Sequence, residues 1–166
     1  MKSQGAMLLA VVLFSLSAVL LPAPVLAEGD IVVQTIAETE KEVVGTAGRK
    51  EKKREPVTLA IPGSTVIYTT RFTNKGAKPA GNIVIDNPIP NDTTFVAGSA
   101  FGANAVVTYS VDGGKKYDVP SKLRVRTPDG KTRAAKPDDY THIRWTYKGE
   151  LAAGKSSDVG FRVVIK

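Results

Sequence analysis

His142 is the only histidine in the chain. Nucleophilic chemistry built on it would need a serine or threonine within hydrogen-bond reach and an acid to orient the ring. The residues around it, Tyr140-Thr141-His142-Ile143-Arg144-Trp145-Thr146-Tyr147, alternate as a strand does, with Ile143, Trp145 and Tyr147 on one side and His142, Arg144 and Thr146 on the other. That parity turns His142 toward solvent, away from Trp145, and no nucleophile motif accompanies it. Gly98-Ser99-Ala100-Phe101-Gly102 lacks the glycine spacing of a nucleophile elbow, so no catalytic residue is assigned. Asp112, Asp118, Asp129, Asp138 and Asp139 could offer oxygen ligands to calcium, but their spacing matches no calcium loop, and aspartate beside glycine or proline is ordinary turn chemistry. No metal or other cofactor is assigned. Asn91-Asp92-Thr93 fits a glycosylation acceptor. Trp145 and Tyr147 could face a carbohydrate, although alternating aromatics in a strand are more often core.

The remaining candidate is a charge cluster. Arg49, Lys50, Lys52, Lys53 and Arg54 lie in a polar stretch, 38–55, that mixes acids and bases around Gly45 and Gly48. Read for function, it is a protruding basic loop that meets an anionic surface. Read for structure, it is a solvated insertion between two strands, its field diluted by Glu51 and Glu55. The chain as a whole carries a formal net charge of +7. That could suit lipopolysaccharide, anionic wall polymer, nucleic acid or an acidic protein, or serve solubility alone. Nucleic acid is not expected, because no aromatic residues are interleaved with the basic ones for stacking on bases.

The elements that must position these residues read as strands throughout. Ile31 to Ile36 is rich in β-branched residues and forms the first. Val57 to Ile61 alternates into a Pro62-Gly63 turn. In Gly63 to Pro90, Tyr68, Thr70 and Phe72 share one parity and Thr69, Arg71 and Thr73 the other. Asn74-Lys75-Gly76 then supplies residues that tolerate positive φ, and Ile83-Val84-Ile85 follows, which predicts an antiparallel hairpin closed by Pro88 and Pro90. Thr93 to Val96 is a short strand and Gly98 to Asn104 a loop. Val106 to Val111 and Lys115 to Tyr117 flank the turn residues Asp112-Gly113-Gly114 as a second hairpin. Leu123 to Arg126 reads as an added edge strand with charges on one face. Val159, Phe161, Val163 and Ile165 make the inward face of the last strand, with Arg162 and Lys166 pointing the other way. Tyr68, Phe72, Ile143, Trp145, Phe161 and Val163 are the expected core. No amphipathic helix of useful length follows residue 56, and about seven to nine short strands predict an all-β antiparallel sandwich.

The amino terminus sets the expected compartment. Met1-Lys2 precedes an apolar run from Ala6 to Leu21, then Pro22-Ala23-Pro24, with small or modest side chains at Val25-Leu26-Ala27. This reads as a secretory signal peptide, 1–27, cleaved between Ala27 and Glu28. The run falls short of the ~20 residues a membrane helix needs, so no membrane span is expected after its removal. Residues 28–166 then form one domain, long enough to bury a substantial core. The chain has no cysteine, so an exported form relies on packing and sheet hydrogen bonds and cannot carry a lipidated cysteine at its start.

Gly63 with Val66-Ile67-Tyr68, Phe72-Thr73-Asn74-Lys75-Gly76, Ile83-Val84-Ile85 leading to Asn87-Pro88-Ile89-Pro90, and Phe95-Val96 form a pattern that resumes at Trp145, Leu151, Gly154 and the strand Val159 to Ile165. In these residues the chain resembles the bacterial repeat domain known as domain of unknown function eleven, an immunoglobulin-like module of secreted and surface proteins. The resemblance spans most of 31–166, interrupted at 38–55 and between Ser110 and Asp139. It implies an immunoglobulin-like sandwich and an exported, periplasmic or surface-associated protein. One departure is Asn87, where the family usually has an aspartate before its Pro-x-Pro turn; Asp86 stands one residue early. The family commonly occurs as tandem repeats, whereas one copy is present here.

Two classes of function follow. One is a non-catalytic envelope or cell-surface structural or interaction module, whose partner is an envelope or surface protein or polymer, or another copy of itself. The other is a self-assembling fibre subunit, in which Ile31 to Ile36 leaves its own sandwich and completes a neighbour's sheet, with 38–55 as the linker.

Overall fold

The computed structural model describes residues 31–45, 48–59 and 61–166. The expected signal peptide and its cleavage site at Ala27 and Glu28 lie outside the described residues. Among the described residues there are eleven strands: β1 (Ile31–Val44), β2 (Lys50–Pro56), β3 (Thr65–Asn74), β4 (Val84–Pro88), β5 (Thr93–Phe95), β6 (Phe101–Gly102), β7 (Ala105–Ser110), β8 (Arg124–Arg126), β9 (Thr132–Ala134), β10 (His142–Tyr147) and β11 (Ser156–Ile165). The only helical turns among the described residues are short 3-10 segments at Pro120–Lys122 and Pro137–Asp139.

The larger sheet runs β2-β1-β3-β11-β5, with β6 also paired to β11; the smaller runs β4-β10-β7; and β8-β9 is a separate ribbon. Every pairing is antiparallel. The two sheets share one core, joined by Trp145 with Phe161 at 6.1 Å, Phe72 with Tyr147 at 5.5 Å and Phe95 with Tyr109 at 5.6 Å between ring centroids. This is an antiparallel β-sandwich. Its closing strand β11 lies beside β3 rather than beside β10, so the chain changes sheet after β3, β4, β6 and β10.

The alternation of β10 and β11 places the side chains as their sequences predict. Ile143, Trp145, Val159, Phe161 and Val163 are all buried, Trp145 to 1% exposure, and Phe72 joins them from β3. Tyr68 is only partly buried: its partner on β1 is Ala37, too small to cover the ring, which stacks on Phe161 at 5.4 Å. Ile67, of opposite parity, is fully buried outside this core, on the other face of the sheet between Glu38 and Arg162.

Several expectations are corrected. The stretch 38–55 is not a loop: β1 continues through it to Val44 and β2 returns, with Glu40 opposite Arg54 and Glu42 opposite Lys52. Cross-strand pairs of opposite charge supply the local stabilisation that β-propensity alone denies to glutamate and lysine. The apolar Val57 to Ile61, expected as a strand, lies outside any strand in its described residues, with Leu59 and Ile61 exposed. β3 and β4 do not pair as a hairpin; they belong to different sheets. Neither Asn74 nor Gly76 has positive φ, which occurs instead at Asn82. Asn74 is buried and works through its side chain: Nδ2 donates to the carbonyls of Lys78 (2.7 Å) and Leu151 (2.8 Å), and Oδ1 accepts from the Gly76 N–H (2.9 Å). Part of 98–104 is also strand, since Phe101 of β6 lies opposite Gly160, and its ring fills the space a side chain there would need.

Candidate functional site

The five cations singled out from the sequence sit at the far end of the β1-β2 ribbon, three of them beside glutamates of β1. Lys50 Nζ is 3.2 Å from Glu42, Lys52 Nζ 3.7 Å from Glu40, and Arg54 lies 3.8 Å from Glu40 and 3.9 Å from Glu38. Arg162 reaches across from β11 to donate to Glu40 Oε1 at 2.7 Å. That hydrogen bond, with the nearby cations, holds the Glu40 carboxyl below the usual carboxylate range. On the opposite face of the ribbon Lys41 pairs with Glu55 at 2.9 Å. Between residues 38 and 56 five glutamates face six lysines and arginines, so the ribbon is close to neutral. Arg49 and Lys53 make no ion pair among the described residues. An open hollow of about 520 Å³ lies beside this ladder, lined by Thr39, Glu40, Lys52 and Arg162 among others, and its walls carry both signs of charge.

Positive charge concentrates elsewhere. Residues 115–136 hold eight lysines and arginines against Asp118 and Asp129. They form the connection after β7, the β8-β9 ribbon and the start of the connection to β10. Lys122 pairs with Asp118, Lys131 with Asp129, and Arg133 with Asp139. Lys115, Lys116, Arg124, Arg126 and Lys136 make no ion pair among the described residues. Arg124 and Arg126 share one face of β8, opposite the small partners Ala134 and Thr132. Lys116, Lys122 and Arg124 line an open groove of about 490 Å³ together with Asp112, Asp118 and Tyr117, three cations against two carboxylates. Sequence reasoning followed the densest run of basic residues, 49–54, and passed over this wider segment. The ratio of bases to acids over some twenty residues would have marked it, since the β1 glutamates that neutralise 49–54 precede the turn.

The segment is held by two turn carboxylates. Asp112 Oδ1 accepts from the Lys116 N–H (3.0 Å), from Ser110 Oγ (2.7 Å) and from the Lys115 N–H (3.1 Å), and these bonds, the Lys116 one foremost, lower its pKa. Asp139 accepts both Arg133 Nη groups (2.5 and 2.8 Å) and the Lys136 N–H (2.7 Å), and these bonds, the arginine foremost, lower its pKa to about 2.

The outer face of the smaller sheet carries His142. Its Nδ1 lies 3.2 Å from Thr141 Oγ1. Two residues on, Arg144 forms a bidentate pair with Asp86 (2.7 and 2.8 Å) and stacks on Tyr117, 3.8 Å from guanidinium carbon to ring centroid. Asn87, where the family resemblance suggests aspartate, donates from Nδ2 to Thr70 Oγ1 (2.7 Å), which in turn lies 2.8 Å from Thr35 Oγ1. This chain of three polar groups links β4 to β3 and β1 and satisfies the fully buried Thr70. Among the described residues no group of three or more His, Cys, Asp or Glu is arranged to hold a metal ion, and no helix is long and apolar enough to cross a membrane.

Comparison with protein-family models gives no match, and comparison with curated proteins gives none either.

Proposed function

We propose that this chain is a non-catalytic structural or interaction module of the bacterial envelope or cell surface, exported by the signal peptide at 1–27, and that it meets an anionic polymer or protein through the basic segment 115–136. The observation that carries this reading is the surplus of basic groups there: Lys115, Lys116, Arg124, Arg126 and Lys136 are exposed and make no side-chain ion pair among the described residues, on backbone braced by Asp112 and Asp139. A braced surface loses less entropy on docking than a free loop. The signal-peptide pattern expected at 1–27 and the immunoglobulin-like resemblance of the sequence favour the same reading.

Binding to isolated envelope material tests it. Charge-driven contact is screened over ~8 Å at physiological ionic strength, so retention should fall steeply with added salt. Replacing Lys115, Lys116, Arg124 and Arg126 with glutamine should remove most of the salt-sensitive retention. Replacing Arg49, Lys50, Lys52, Lys53 and Arg54 should remove less, because three of those cations are already neutralised. Full retention by the first variant at low salt would reject 115–136 as the contact.

A further inference from the structure

We propose that the open edge of β1, from Ile31 to Thr35, pairs antiparallel with the same edge of a second copy of this chain. β1 has two halves. Over Glu38–Val44 its outer edge is covered by β2, whereas Ile31–Ile36 pairs, among the described residues, with β3 alone. The covered half is charged and the open half has no charge at all. Natural sheets ordinarily guard an open edge with lysine, proline or a bulge; here the guard sits on the half that does not need it. Val32 and Val33, on opposite faces, are 52% and 51% exposed, and Ile36 46%.

The backbone sets the register. On β3, Asn74 exchanges hydrogen bonds with the β11 side, through Lys155 and Gly154. By alternation its odd-numbered residues bond to β1, where their partners are Val32, Gln34 and Ile36. The N–H and C=O groups of Ile31, Val33 and Thr35 therefore point outward, and the Ala37 carbonyl, of the same parity, already accepts the Val57 N–H at 3.1 Å. A two-fold axis at Val33 sets Ile31 opposite Thr35 of the second copy and Val33 opposite itself, which uses all the outward groups and stops short of Val57. Every side chain in that register is uncharged. Close to the edge, the β1-β2 ribbon is nearly neutral and Arg71 is paired with Asp158 in bidentate fashion (2.8 and 2.9 Å). Two copies of a net-positive chain thus meet where repulsion is least. This is strand addition, each copy keeping its own β1, and not exchange of the strand.

An interface of one short strand falls below ~1,200 Å² in total, so a weak dimer is expected, on the order of tens of micromolar. Sedimentation equilibrium of the purified protein should show a concentration-dependent monomer–dimer equilibrium. Val33→Lys sets two like charges at the axis and should weaken the dimer at least ~10-fold. Val33→Pro removes an N–H that faces solvent in the monomer, a position where an edge strand accepts proline, and should do the same with the monomer's circular dichroism intact. Val84→Lys, on the other sheet, should change nothing. A protein that stays monomeric to millimolar concentration overturns the proposal, as does a dimer indifferent to both Val33 substitutions. Either result leaves envelope binding through 115–136 to its own test.

Discussion

At the scale of single residues, Trp145 and Asn74 make the strongest demands. Trp145 is closed in by Phe161 and by the close approach of Gly102, and its Nε1 has no hydrogen-bond partner among the described residues. Trp145→Ala should destabilise by ~3–5 kcal/mol in denaturant unfolding, and Trp145→Phe by less, because the smaller ring also removes an unsatisfied donor. His142→Ala should leave the midpoint nearly unchanged. Asn74→Ala strips three partners at once and should cost at least ~2 kcal/mol, read in the same way. Asp139 makes stability depend on acid. Its folded pKa of about 2 lies below the ordinary 3.8, so between these values the unfolded chain binds more protons, and the contribution is full above the upper value and lost as pH falls through the lower. Wild type should lose stability across that window more steeply than Asp139→Asn, measured by unfolding midpoints at successive pH values.

At the scale of elements, the β1-β2 ribbon and β11 show two different ways of holding a strand in place. β11 is kept by burial of Val159, Phe161 and Val163 and by the close approach at Gly160, where an added Cβ would lie 2.3 Å from the Tyr68 carbonyl oxygen. The ribbon beyond Glu38 has little apolar cover and depends on its ladder of ion pairs. Exposed pairs of this kind contribute ~0–1 kcal/mol each and weaken with salt. Amide exchange at 39–44 and 50–55 should therefore quicken in 1 M salt or in Glu38→Gln/Glu40→Gln/Glu42→Gln, while β3, β10 and β11 stay protected. Loss of protection throughout the sandwich would show that the ribbon is part of the global folding unit.

At the scale of the whole molecule, charge is arranged in regions. The β1-β2 ribbon is balanced, the open edge of β1 is neutral, and the β8-β9 side keeps the excess. In the reading proposed above, the basic segment meets an anionic surface and the neutral edge a second copy. Export is the premise that sets this molecule beside an anionic envelope. Intact mass of the protein from its native host should show a chain beginning at Glu28, and a species retaining 1–27 would remove that premise.

Period-two patterning determined the strands that make the core. It predicts the inward faces of β10 and β11 because strict alternation over six or more residues leaves one parity to bury. It also put His142 on the side away from Trp145, and the spacing of turn residues gave the sandwich class. Pairing was not legible, because a strand's own sequence does not say which neighbour it joins: β3 and β4 look like a hairpin, yet the turn between them carries the chain to the other sheet. The ribbon was missed for a related reason. Glu40, Glu42, Lys52 and Arg54 are poor strand formers one at a time, and they become strand only when opposite charges meet across the register. Neutralisation of 49–54, the surplus at 115–136 and the open edge of β1 are likewise facts of juxtaposition, decided when distant residues such as Arg162 and Glu40 come within 2.7 Å.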